Sequence, residues 1–221
     1  MVSGNNGVLE NVIGLVGYDN LCLLLYDDPE LVEDIFEKVG SGLVRYYEKC
    51  LPYSAVGAIL SNDDWGFNTQ TMLSVQDLQK YVFPWQKQMC SLAHQHGKFC
   101  ILHSCGKYDA IIDDIIDDMQ FDARHSYEDA IRPVEEAYEE LNPRIAVLGG
   151  LDINFMVNAS EEAIFARAKG MLERAASRGG YALGTGNSVP DYIPNSHYYA
   201  LLKAAFYDTL ADYEKEYPPE D

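Results

Sequence analysis

An alternation constrains this sequence most. A short apolar run ends in a cluster of polar residues, and a segment with helix start and stop signals follows. The runs cover 56–60, 99–102, 121–123, 145–148 and 181–183, each too short for a helix and each reading as a buried strand. Between them, Asp28-Pro29-Glu30 places a cap and a first-turn proline ahead of a helix over 31–47. Ser74-Val75-Gln76-Asp77 resembles a capping box for a helix running to His96-Gly97, which Pro84 should kink or split. Ser160-Glu161-Glu162 opens a helix that Gly179-Gly180 closes, and a last helix follows Pro194-Asn195-Ser196. Strands alternating with helices dictate a mostly parallel sheet covered by helices, an α/β fold. An open doubly wound sheet and a closed barrel both fit.

At 221 residues and 48% apolar, the chain can build a sizeable core, and without repeats or a linker it reads as a single domain over 1–221. Pro218-Pro219-Glu220-Asp221 reads as a frayed tail. With 35 Asp+Glu against 16 Lys+Arg the net charge is −19, which argues against nucleic acid and anionic membranes as partners. No run approaches the ~18 apolar residues of a membrane span, and the first six residues are no signal peptide, so the expected location is cytoplasmic. Cys22, Cys50, Cys90, Cys100 and Cys105 are odd in number and scattered, so no disulfide framework is expected. Most read as small buried hydrophobes.

In either architecture the functional face lies at the carboxyl ends of the strands. His103 and Cys105, spaced i, i+2, point to one face of an extended chain, while Cys100 and Ser104 point away. Imidazole and thiolate are zinc ligands, but a catalytic site needs about three protein ligands, and a buried His and Cys beside a loop is the plainer reading. His125 is a candidate third ligand, a substrate donor or a strand-end histidine. Asp63 and Asp64 could do acid/base or cation-stabilising work, or form an ordinary polar turn before Trp65-Gly66. Asp152, after Gly149-Gly150, is a candidate for binding substrate, although the glycines could equally serve a tight strand exit. Gly184-Thr185-Gly186 lacks phosphate-loop spacing. The acidic clusters at 113–118 and 135–140 read as solvated helix faces, and Tyr198, Tyr199 and Tyr207 as packing residues.

The landmarks Ser61-Asn62-Asp63-Asp64-Trp65-Gly66, Tyr81-Val82-Phe83-Pro84-Trp85, Leu102-His103-Ser104-Cys105-Gly106, Leu148-Gly149-Gly150-Leu151-Asp152 and Gly184-Thr185-Gly186-Asn187-Ser188-Val189-Pro190 together resemble the carboxyl-terminal part of the uroporphyrinogen decarboxylase superfamily. That resemblance implies a TIM-type (β/α)8 barrel, here lacking the first strand-helix units because five strands are legible. Missing units would leave strand edges open unless a partner chain supplies them. In the corrinoid-dependent methyltransferase branch, which the chain resembles most, the His-x-Cys pair supplies two zinc ligands, and those positions fall on His103 and Cys105. A third ligand there is often a cysteine, where this chain has Asn187, itself a candidate for substrate contact.

The resemblance thus implies a zinc-dependent methyltransferase acting between a methylcorrinoid and a thiol or other small acceptor. Its expected partners are a corrinoid protein and a small-molecule substrate, with a homo-oligomer left open. The alternatives are a carboxy-lyase of porphyrin synthesis, working without metal and leaning on Asp63 or Asp64, and an inactive fragment or binding subunit.

Overall fold

The computed structural model describes residues 1–4 and 6–216, so the 218–221 tail lies outside it. The chain divides into two compact units, Met1–Arg124 and His125–Asp221. Among the described residues no single helix is long and apolar enough to cross a membrane.

The first unit runs β1 (Val2–Ser3), α1 (Val8–Val16), α2 (Tyr18–Asp27), α3 (Pro29–Cys50), β2 (Ala58–Asn62), α4 (Val75–Asp77), α5 (Phe83–Gln95) and β3 (Phe99–His103). β1 pairs with β2 and β2 with β3, all parallel, in a register that sets Ile59 beside Cys100 and Asn62 beside His103. Ile59, Cys100 and Leu102 are buried, as the apolar runs require. The expected caps form. The Asp28 carboxylate accepts the Leu31 N–H at 3.1 Å, and Ser74 Oγ accepts the Asp77 N–H at 3.1 Å. Pro84 does split its helix. Residues Leu78–Val82 form a wider turn in which the Phe83 N–H donates to Leu78 O, and α5 restarts with Pro84 in its first turn, where a missing N–H does no harm.

Two expectations change here. The segment before Asp28, where no element was expected, forms β1, α1 and α2. β1 is only two residues long, and the two helices meet at 93° at Gly17, whose φ is +83°. A two-residue strand carries no period, and both helices open on a glycine with no side-chain cap to mark the start. The strand read at 56–60 lies two residues later, so Ser61 and Asn62 end β2 instead of following it.

Directly after β2, Asp63 pins α1. Its carboxylate, fully buried, accepts backbone N–H bonds from Val8 (3.0 Å), Leu9 (3.2 Å) and Glu10 (3.0 Å), and a fourth from Gln86 Nε2 at 2.9 Å. A helix opens with N–H groups that lack intrahelical partners, and a carboxylate from a distant loop answers them here. The approach is so close that a Cβ on Gly7 would fall 2.1 Å from the Asp63 Cβ. Glu10 accepts the Gly7 N–H at 3.4 Å and the Asn62 side-chain amide at 3.1 Å. Burial pushes Asp63 up to about 6 against the pull of those N–H groups. Burial, then the charges of Asp63 and Asp64, push Glu10 up to about 7.

The second unit holds α6 (Val134–Leu141), β5 (Ala146–Leu148), α7 (Ile153–Asn158), α8 (Glu161–Ala175), β6 (Tyr181–Ala182), α9 (Asn195–Lys203) and α10 (Leu210–Glu216). Strand β4 (Ala123–His125) marks the division and ends on His125, two residues beyond the run read at 121–123. β5 and β6 pair in parallel, Val147 beside Tyr181. Leu151, Met156, Ile164, Phe165, Ala168, Ala200 and Leu201 form the core of the unit. The acidic runs are not merely solvated. Glu135 and Asp129 clamp Arg167, Glu139 pairs with Arg174 and Arg178, and Glu140 with Arg132, while in the first unit Asp118 pairs with Lys87. Tyr199, read as packing, is half exposed. Six strands lie among the described residues, one more than the sequence showed.

Removing the Asp63 carboxylate should leave three buried N–H groups without a partner. Asp63→Ala is therefore expected to lower stability by about 3 kcal/mol in urea unfolding, and a loss near zero would show that α1 does not depend on it. The folded pKa values of Asp63 and Glu10 exceed the unfolded 3.8 and 4.5. The folded chain thus holds more protons than the unfolded one from about pH 4 to 7, and these two groups make stability fall as pH rises through that window. Glu10→Gln removes one contribution, so its stability should fall less steeply than wild type from pH 5 to 7 in metal-free buffer; an identical slope would contradict the assignment.

Candidate metal centre

The parallel register of β2 and β3 continues into the loops after them, with the Asp63 N–H donating to His103 O at 2.9 Å. Asp63-Asp64-Trp65-Gly66 and Ser104-Cys105-Gly106 therefore run side by side. A Cβ on Gly106, whose φ is +106°, would lie 2.3 Å from the Gly66 carbonyl carbon, so the two backbones touch where each loop carries its glycine.

Alternation then sorts the side chains as expected. Ser104 is buried, donating from Oγ to Asp63 O at 2.5 Å and accepting from the Tyr108 hydroxyl at 3.1 Å. His103 and Cys105 share the other face, with Nε2 and Sγ 3.9 Å apart. Asp64 joins them. Its Oδ1 accepts the Cys105 N–H at 2.7 Å, and one donor atom from each of Asp64, His103 and Cys105 lies within 4.8 Å of the other two. Around a tetrahedral ion bound at 2.0–2.3 Å, ligand atoms sit about 3.3–3.8 Å apart. The cluster is near that spacing, and all three residues are half-buried.

The imidazole of His103 is held toward its neutral form. Burial and the Arg124 charge lower the His103 pKa, against Asp64, which raises it, favouring the neutral imidazole that binds metals. Arg124 is itself buried, stacked 3.8 Å over the Tyr108 ring, with Nη2 3.4 Å from Ser104 O, so it braces the peptide between the two candidate ligands. A nitrogen, a sulfur and an oxygen donor form a set that Zn²⁺ accepts, and three protein ligands with an open position match a catalytic site.

The other sequence candidates have different places. Asp63 faces α1, its oxygens taken up by backbone and Gln86 donors. His125, Asp152 and Asn187 lie in the second unit. His125 Nε2 is 3.0 Å from Thr185 O. Asp152 caps α7, accepting the Phe155 N–H and the Asp129 N–H, each at 3.0 Å. Asn187 lies in a turn, its Oδ1 accepting the Ser188 N–H at 2.8 Å and its carbonyl the Thr185 hydroxyl at 2.7 Å. Sequence reasoning listed Asp64 for acid/base work and sought the third ligand at His125 or Asn187; the structure sets Asp64 beside His103 and Cys105. It also missed Glu10 and Arg124, although a glutamate three residues into a helix start was a legible signal for the first.

Comparison with the curated proteins finds no match. Among solved structures, a methyltransferase from Methanosarcina mazei shares the fold at a TM-score of 0.71 and 20% sequence identity, over 90% of this chain. The chain spans 56% of that protein's length. The sequence profile described as Uroporphyrinogen decarboxylase (URO-D) matches residues 9–206. That span runs from the first turn of α1 through both loops of the candidate centre to just past α9, and over it the chain belongs to the uroporphyrinogen decarboxylase family.

Proposed function

We propose that this chain carries the metal-binding centre of a methyltransferase that moves a methyl group between a corrinoid and a thiol or other small acceptor. The observation that carries the reading is the convergence of Asp64, His103 and Cys105. When bound there, zinc would supply Lewis acidity that lowers the pKa of an incoming thiol, making a thiolate available at neutral pH.

The remaining work falls to the chain. His103 offers a neutral ring nitrogen and Cys105 a thiolate, and the Cys105 N–H orients Asp64 through one carboxylate oxygen, leaving the second for the ion. One thiolate and one carboxylate bring the same charge as two thiolates, so an anionic third ligand is supplied without a cysteine at position 187. Asp63 is a positioning residue, fixing α1 and with it Glu10 behind Asp64. In this reading His125, Asp152 and Asn187 do not hold the metal. The fold shared with a methyltransferase supports the choice of reaction, and a corrinoid protein is the partner that methyl transfer to or from a corrinoid calls for. A metal-free carboxy-lyase relying on Asp63 fits less well, because that carboxylate is sealed from solvent and committed to α1.

Metal analysis of the purified chain tests this. Close to one zinc per chain is expected, lost in His103→Ala and Cys105→Ala and held at least tenfold more weakly in Asp64→Ala, by chelator competition with circular dichroism confirming the fold. Wild-type protein that is folded yet does not bind added zinc would overturn the proposal. Full affinity in Asp64→Ala would remove Asp64 from the ligand set.

A further inference from the structure

We propose that Cys90 and Cys100 are a redox-active thiol pair that closes to an intramolecular disulfide under a peroxide oxidant. The inference does not depend on the metal centre. Cys90 lies on the inward face of α5 with Gln86, Met89 and Ala93, and Cys100 lies in β3 opposite Ile59. Their sulfurs are 3.0 Å apart, and both residues are buried. A disulfide bond is near 2.05 Å, so closure asks for an approach of about 1 Å.

A second set of contacts holds the pair face to face. The Asp122 carboxylate meets the His94 ring, one turn beyond Cys90 on α5, at 2.9 Å. The same oxygen accepts the Cys100 N–H at 2.7 Å, and the Asp122 N–H donates back to Cys100 O at 2.9 Å. One residue thus ties the helix to the strand on either side of the two thiols.

The chemistry balances with the peroxide as the named oxidant. One thiolate attacks a peroxide oxygen, the O–O bond breaks, and the departing hydroxide takes up the thiol's proton to leave as water. The second sulfur attacks the sulfenic sulfur, the S–S bond forms, and a second water departs. The sulfurs together lose two electrons and the peroxide oxygens gain them. Burial beside Cys100 pushes the Cys90 thiol up, which keeps thiolate scarce and the reaction slow. Burial excludes an oxidant as bulky as glutathione disulfide, so a small peroxide is the oxidant named. The cross-link would fasten α5 to the strand that ends in His103.

The full chain is treated with hydrogen peroxide, denatured, alkylated and digested with trypsin, which separates 88–98, carrying Cys90, from 99–107, carrying Cys100 and Cys105. The expected product is these two peptides joined, lighter by two hydrogens, with fragmentation placing the bond at Cys100. The joined pair should persist in Cys105→Ser and vanish in Cys100→Ser. Should a variant fail to fold, the fragment spectrum of the wild type decides alone. Fully alkylated Cys90 and Cys100 after treatment, or a bond assigned to Cys105, would overturn the proposal.

Discussion

The rest of the first unit depends on the carboxylate of Asp63. It is the first residue past β2, and it accepts three N–H groups of the first turn of α1 and the amide of Gln86 from α5. Gln86 in turn accepts the hydroxyl of Ser61, inside β2, at 2.7 Å. One buried anion thereby joins a strand end, the start of one helix and the middle of another. Burying a charge is tolerable only when such donors surround it. With Asp63 committed in this way, the neighbouring Asp64 is the carboxylate of the pair that remains to face the other loop.

The clustering of Asp64, His103 and Cys105 follows from register more than from any single motif. Parallel pairing sets Asn62 beside His103, so the loops leave their strands in step and Asp64 reaches the Cys105 N–H. The glycines that end both loops let the backbones meet, and Ser104 locks the arrangement from behind. Arg124, stacked on Tyr108, holds the Ser104 carbonyl. A site built on two adjacent strand ends in this way has little freedom, which is what orienting three unlike ligands requires.

Much of this was legible in the sequence. The i, i+2 spacing put His103 and Cys105 on one face and Ser104 on the other, and the polar strand ends marked where chemistry would sit. The caps at Asp28, Ser74 and Ser160 and the break at Pro84 were legible because each is local, fixed within three or four residues. What was not legible is long-range. Nothing within a few residues of Asp63 shows that its backbone partners lie more than fifty positions away, and nothing near Asp64 shows that Cys105 will stand beside it. The units before Asp28 escaped for a different reason, since a two-residue strand carries no period and both helices start on glycine, without a capping side chain. The family resemblance pointed to position 187 for a third ligand, and the parallel register sets a carboxylate, Asp64, beside His103 and Cys105.

The same corner of the molecule gathers negative charge. Glu10, Asp63 and Asp64 stand close enough that the charges of the last two raise the first, on top of its burial. Three carboxyl groups gathered at one strand end oppose folding when all are ionised, and the chain answers in two ways it can supply itself. It surrounds Asp63 with donors, and it lets Glu10 keep its proton to about neutral pH. Asp64 takes one N–H from Cys105 and stands beside the thiol and imidazole of the opposite loop. A divalent cation among these three groups would offset the remaining charge, and any ligand that binds only the folded chain stabilises it by mass action. The acidic residues around this strand end thus serve two roles in series: the buried one builds the frame, and the half-buried one faces His103 and Cys105.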